Sequence, residues 1–179
     1  MSKLRVAVIF GGCSGEHEVS LVSGQAVMDA MNREQYEVVP LGITREGRWI
    51  MAGDPMAQLR AGVDTADFPP AALLPDPSRR AVLELESAAG EAERVLREQR
   101  IDVVFPVLHG PMGEDGTVQG LLELADLPYV GAGVLASAVG MDKAVAKDVF
   151  RGRGLPVVRD LVYLRRDWQA APDDVIDQI

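Results

Sequence analysis

The chain has 179 residues, 47% of them hydrophobic, with one cysteine and 27 acidic against 18 basic side chains, for a formal charge of −9. That length and apolar content suffice for one domain with a real core and part of a second, while the negative balance argues against nucleic acid and against an anionic membrane as partner. A lone cysteine, Cys13, excludes an intrachain disulfide framework, and the apolar run before Gly11 is far shorter than the ~18 residues of a membrane span, so a soluble cytoplasmic protein is expected.

Residues 4–10, LRVAVIF, are β-branched-rich and closed by glycine, which predicts a buried parallel strand. From 19 to 31 the apolar residues Val19, Val22, Ala26, Val27, Ala30 and Met31 recur at helical spacing. Residues 36–43 read as a second strand, and the Glu46-Gly47 pair as a turn between short β-prone arms. Residues 52–80, with five prolines, read as a patternless surface excursion, and 84–100 as a helix by composition despite Gly90. A buried strand at 101–107 leads through LHGPMGEDG into a helix over 117–126, where Gly116 and Gly120 suggest close packing or backbone approach. A short strand is expected over 127–133, a helix from 141 stopped at Gly154, and a strand over 155–164. Pro172 reads as the first residue of a last helix, with Asp173 and Asp174 complementing its dipole. The sequence then stops inside that element, as a truncated product would.

Alternating strands and helices imply an α/β fold with a parallel, doubly wound sheet, in which ligands sit beyond the carboxyl ends of the strands. GGCSGEHE and LHGPMGEDG both occupy that position. The first is not a dinucleotide turn: positions three and six of G-x-G-x-x-G are Cys13 and Glu16, and the end of the second strand lacks an acidic residue. No Walker sequence occurs, and GGCSG is one residue out of register for a nucleophile elbow. Cys13 at a helix start could be a nucleophile, although two nearby carboxylates oppose a lowered thiol pKa. A zinc set from Cys13, His17 and His109 fits no usual spacing. Glu16 could hold an ammonium group by a charge-assisted hydrogen bond, or Glu16 and Glu18 could merely complement the helix dipole at ~0.3–1 kcal/mol each. On the turn alone both readings stand. A histidine at a strand end is commonly structural, but His109 faces the first loop across one sheet edge, which favours a functional role.

FGGCSGEHEVS, HGPMGEDGTVQG and LPYVGAGVLASAVGMDK, in that order, resemble the signatures of the D-alanine–D-alanine ligases of bacterial wall synthesis, members of the ATP-grasp superfamily. The resemblance runs over nearly the whole chain. It implies a biotin-carboxylase-like, pre-ATP-grasp N-terminal domain over 1–141 and the beginning of an ATP-grasp central domain over 142–179. Enzymes of this family phosphorylate one D-alanine with ATP and let the amine of a second attack the acyl phosphate. By resemblance, Glu16 helps bind the ammonium of the first D-alanine, Val19 lines that subsite, and His109 stands beside the same substrate, so that Glu16 and His109 are the catalytic candidates. Lys143 matches a lysine that approaches the ATP phosphates. Ser20 is expected to support Glu16 or cap the helix.

The resemblance further implies ATP and Mg²⁺ or Mn²⁺, with metal ligands outside this chain, a homodimer, a role in peptidoglycan synthesis and cell shape, and a cytoplasmic location. The isolated chain is expected to be inactive. Two alternatives remain open: a ligase taking D-lactate or D-serine as second substrate, and a free-standing, non-catalytic domain binding D-amino acids or a partner.

Overall fold

The structure is a computed structural model and describes residues 3–62, 68–86 and 94–178. Two compact units divide the chain, residues 1–138 and 139–179.

In the first unit β1 (Leu4–Gly11), α1 (His17–Ala30), β2 (Tyr36–Ile43) and β3 (Trp49–Ile50) follow one another. The Glu46-Gly47 turn is closed by hydrogen bonds from Thr44 N to Arg48 O at 2.9 Å and from Gly47 N to Thr44 O at 3.1 Å. Then come α2 (Pro55–Ala61), β4 (Ala71–Leu73), β5 (Ala81–Glu86), β6 (Arg94–Arg100), β7 (Val103–Pro106), α3 (Thr117–Leu124) and α4 (Val134–Met141), the last running across the division. The main sheet has the order β3-β2-β1-β7. Its β2, β1 and β7 are parallel, and β3 is antiparallel. A separate antiparallel sheet is ordered β4-β5-β6.

Strand β1 alternates between two cores, as the period of two dictates. Val6, Val8 and Phe10 pack with Leu21 and Met28 of α1 and Met56 of α2. Ala7 and Ile9 pack with Val118 and Leu122 of α3 and with Val82 of the second sheet. Elements therefore cover both faces, which is the doubly wound arrangement, with a separate antiparallel sheet the sequence did not disclose. Strand β7 lies at the edge of its sheet, where Pro106 is tolerated without an amide to donate. At the amino end, the backbone N–H, Nε and Nη2 of Arg5 all donate to the Asp102 carboxylate, at 2.8, 2.9 and 2.8 Å.

Several expectations are corrected. The 52–80 excursion contains α2, started by Pro55 and capped by the Asp54 carboxylate on Ala57 N at 3.0 Å, and β4, which pairs with β5; residues 63–67 lie outside the described residues. The expected 84–100 helix has strands at both ends, and its middle, 87–93 with Gly90, lies outside the described residues. Pairing of β5 with β6 joins their backbones, and Val82 and Leu83 of β5 are buried, overriding the helical bias of Glu, Ala, Leu and Arg. The expected 127–133 strand is a one-residue parallel bridge between Tyr129 and Val104. Val19 and Val22 are exposed, and Val27 and Met31 are half-buried at the flank of the core; the buried face of α1 is His17, Ser20, Leu21, Gly24 and Met28. Gly116 is crowded as expected, its added Cβ meeting Val134 O at 2.8 Å, but Gly120 faces open space.

In the second unit α5 (Lys143–Gly152) starts at Asp142, whose carboxylate accepts from Ala144 N and Val145 N, and is followed by α6 (Arg165–Ala170) and α7 (Pro172–Ile176). Pro172 stands in the first turn of α7 with Asp173 and Asp174; Ile179 lies outside the described residues. Residues 155–164 form no strand: no neighbouring strand pairs with them among the described residues, and Val158, Leu161, Val162 and Leu164 are exposed. The helices α4 and α6 were not anticipated from sequence. No helix among the described residues is long and apolar enough to cross a membrane.

Candidate functional site

The site is built where β1 and β7 end. Strand β1 delivers the loop 12–16 and then α1; β7 delivers the loop 107–116 and then α3. Two hydroxyls join these loops. The buried Ser20 Oγ accepts from Gly11 N at 2.8 Å and donates to Val107 O, tying the two strand ends to α1. Ser20 thus neither supports Glu16 with its side chain nor caps the helix. Ser14 Oγ donates to His109 O at 2.7 Å and accepts from Glu16 N at 3.2 Å, so one side chain sets the backbone of both site candidates.

Glu16 stands at the N-cap position of α1 and makes no capping hydrogen bond with its side chain. Its carboxylate lies against Gly110, the residue after His109: a Cβ on Gly110 would come within 2.9 Å of Glu16 Oε2. Gly110 also holds φ +72°, where a side chain is strained, so glycine here permits both the turn and the approach of the carboxylate. The Nε2 of His109 lies 3.2 Å from Ser23 Oγ on α1. Glu16, Val19 and Ser23 follow at helical spacing on one face, the face that meets His109. Val19 is 52% exposed, which excludes the core role its periodicity suggested and leaves its methyl groups open beside Glu16.

The second loop uses its own acids for its own backbone. Glu114 Oε2 accepts from Gly110 N at 2.7 Å, and Asp115 accepts from Met112 N at 2.9 Å and Thr117 N at 3.0 Å. The Asp115 carboxyl is held below its ordinary value, first by the amide of Met112 and then by Thr117. Gln119 Nε2 closes the loop on Gly113 O at 2.9 Å. His17 is likewise structural: its ring is buried, and Nδ1 donates to Gly12 O at 2.8 Å, since a carbonyl can only accept.

A cavity of about 200 Å³ opens beside His109 on the α3 side, with a mostly apolar lining that includes Cys13, Trp49, Leu108, Met112 and Leu121. Glu16 and Val19 do not line it. Cys13 is a free, exposed thiol at its mouth. No group of three or more His, Cys, Asp or Glu side chains that could hold a metal ion occurs among the described residues. Lys143 belongs to the second unit, exposed in the first turn of α5.

The structure therefore brings Glu16, Val19 and His109 to one edge of the first unit. Sequence reading missed Ser14 and Ser23 as the residues that set this geometry. Ser23 was detectable as the next residue along the helical face of Glu16 and Val19, but a serine gives no apolar signal.

The family model D-ala D-ala ligase N-terminus matches residues 5–132. A D-alanine–D-alanine ligase of Natranaerobius thermophilus is 44% identical over 100% of this chain and 47% of its own length, and one of Streptomyces coelicolor is 49% identical over 92% of this chain and 44% of its own. Among solved structures, the VanG D-Ala:D-Ser ligase from Enterococcus faecalis superposes with a TM-score of 0.78 at 34% identity, over 99% of this chain and 50% of that one. The D-alanine-D-alanine ligase from Coxiella burnetii gives 0.71 at 32% identity, over 99% of this chain and 49% of its own. The chain spans about half the length of the curated relatives it matches. Because the family match takes in the main sheet and both loops at its edge, the chain belongs to the D-ala D-ala ligase N-terminus family.

Proposed function

We propose that this chain forms the first-substrate portion of an ATP-dependent D-alanine–D-alanine ligase, which joins two D-alanines through an acyl phosphate for peptidoglycan synthesis in the cytoplasm, as a homodimer. The observation that carries the reading is the Glu16 carboxylate set against Gly110, directly beside His109, at the edge where the two loops meet. Glu16 makes the charge-assisted hydrogen bond to the ammonium of the first D-alanine, Val19 covers its methyl side, and a ring N–H of His109 donates to its carboxylate or to the acyl phosphate. Their contribution is mainly proximity and orientation. Residues 1–141 act as the pre-ATP-grasp domain and 142–179 as the beginning of the ATP-grasp domain.

The fit to the remaining components is uneven. Lys143 puts a cation in the first turn of a helix, where the dipole disfavours it and an anion would compensate; this supports a phosphate contact by its ammonium group. Asp142 already takes the amides of Ala144 and Val145, so backbone donors for phosphate are not to hand there. The described residues do not fit Mg²⁺. Metal and most ATP contacts then come from the half of the relatives beyond the match, and the chain alone is inactive.

The test is D-alanine-dependent phosphate release from ATP, with L-alanine as control. The 179-residue chain alone is expected to give none, and a chimera carrying the second half of the Natranaerobius thermophilus ligase is expected to restore it. A folded chimera without D-specific release would favour a non-catalytic binding domain. In the active chimera Glu16→Gln is expected to raise KM for the first D-alanine by ~10-fold or more and leave KM for ATP nearly unchanged, in line with the ~1.5–3 kcal/mol of a hydrogen bond to a charged group. A second reading is a D-alanine–D-serine ligase, favoured by the likeness to the VanG D-Ala:D-Ser ligase; turnover with D-alanine, D-serine or D-lactate as second substrate separates these.

A further inference from the structure

Ser23 has no part in the functional reading above, yet its hydroxyl stands 3.2 Å from His109 Nε2, the nitrogen that faces α1. Among the described residues the other ring nitrogen, Nδ1, has no hydrogen-bond partner, so Nδ1 is the position open to a ligand. A histidine that donates to an oxyanion from Nδ1 while neutral must carry its proton there, which leaves Nε2 as an acceptor. Which nitrogen carries the proton is set by the hydrogen bond the other one makes. A serine hydroxyl can donate to Nε2, and the structure records no competing bond from Ser23 Oγ to a carbonyl of its own helix. The backbone of His109 is fixed separately, by Ser14 Oγ on its carbonyl at 2.7 Å, so the ring is the remaining degree of freedom and Ser23 is the group that meets it.

We propose that Ser23 is a positioning residue that donates to His109 Nε2 and holds the neutral ring with its proton on Nδ1, aimed at the substrate oxyanion. The role of the proton rests on the first-substrate reading of His109; the tautomer itself does not. His17 provides an internal standard, because the chain has only two histidines and the Nδ1 of His17 is held as a donor to Gly12 O at 2.8 Å.

The experiment is a long-range proton–nitrogen correlation spectrum of the ¹⁵N-labelled 179-residue chain in mildly alkaline solution. In the unaltered chain both histidines are expected to show a protonated Nδ1 and a bare Nε2. Ser23→Ala is expected to move the His109 proton to Nε2 in more than half of the molecules, the preference of an unrestrained ring, with His17 unchanged. Ser23→Thr, which keeps the hydroxyl, is expected to retain the original pattern. A proton on Nε2 of His109 in the unaltered chain overturns the proposal without any variant, as does a Ser23→Ala spectrum in which neither histidine changes. Should Ser23→Ala unfold, visible as loss of the His17 pattern, Ser23→Cys replaces it as a poorer donor of similar size, and an unchanged His109 there overturns the proposal equally. None of these readings needs turnover, so a chimera that fails to ligate D-alanine would remove the ligase reading and leave the tautomer result standing.

Discussion

Two residues at the site can be tested through folding alone. Ser20 is fully buried and serves one amide and one carbonyl from different strands. Ser20→Ala leaves both groups buried and unpaired, and is expected to destabilise the chain by about 2–4 kcal/mol, measured as a lower urea midpoint with an unchanged slope. Gly110→Ala puts a methyl group at a left-handed position and into the Glu16 carboxylate. A stability loss of about 1–2 kcal/mol is expected from the backbone. In the chimera the same change should raise KM for the first D-alanine more than KM for ATP, because Glu16 has to move.

At the scale of elements, the edge strand β7 pairs with β1 over only four residues, Val103 to Pro106, and is clasped beyond both ends. Ser20 holds the carboxyl end. Asp102 holds the amino end through Arg5, whose side chain first and backbone amide second draw the Asp102 carboxyl down to about 2. Because that value lies below the unfolded one, the unfolded chain takes up the proton first as pH falls. The stabilisation is complete above about pH 4–5 and is lost as pH falls through about 2. Side-chain exposure of 31% on each partner calls for a discount, and we expect Asp102→Asn to cost ~1–2 kcal/mol at neutral pH and to flatten the acid limb of the stability curve.

The strands of the main sheet were legible because Val, Ile and Leu runs closed by glycine or a turn announce themselves over short windows. The antiparallel pair of β5 and β6 was not, because its residues favour a helix locally and only pairing with each other makes them strands. The apolar spacing in α1 did identify a helix, but not its inward face: that face is made of His17, Ser20 and Gly24 as much as of Leu21 and Met28, while the apolar residues picked out by spacing run from the exposed Val19 and Val22 to the half-buried Val27 and Met31 at its flank. That Glu16 and His109 stand at one sheet edge was readable because both loops fall there by topology. The serines that hold them were not, since a hydroxyl declares its partner only in three dimensions.

At the scale of the whole molecule, the two units differ in what sustains them. Among the described residues, all but two of the buried hydrophobic side chains belong to the first; the second has Ala146 and Val175. A unit of 139–179 is near the size below which a single core rarely suffices. A chain ended after Met141 is therefore expected to unfold cooperatively in urea, whereas a peptide covering 142–179 is expected to show little fixed structure by circular dichroism.

The Ser20 tether has a bearing on time as well as on stability. The Gly11 amide belongs to the last residue of β1, and amides at strand ends commonly exchange with solvent within the lifetime of small local openings. This one is bonded to a buried hydroxyl that is itself committed to another strand, so it should exchange only when the strand ends part. Gly11 can then serve as a native reporter in hydrogen–deuterium exchange. Deuterium appearing there while the middle of β1 stays protected would reveal that the edge carrying the two loops opens on its own schedule, ahead of the domain that carries it.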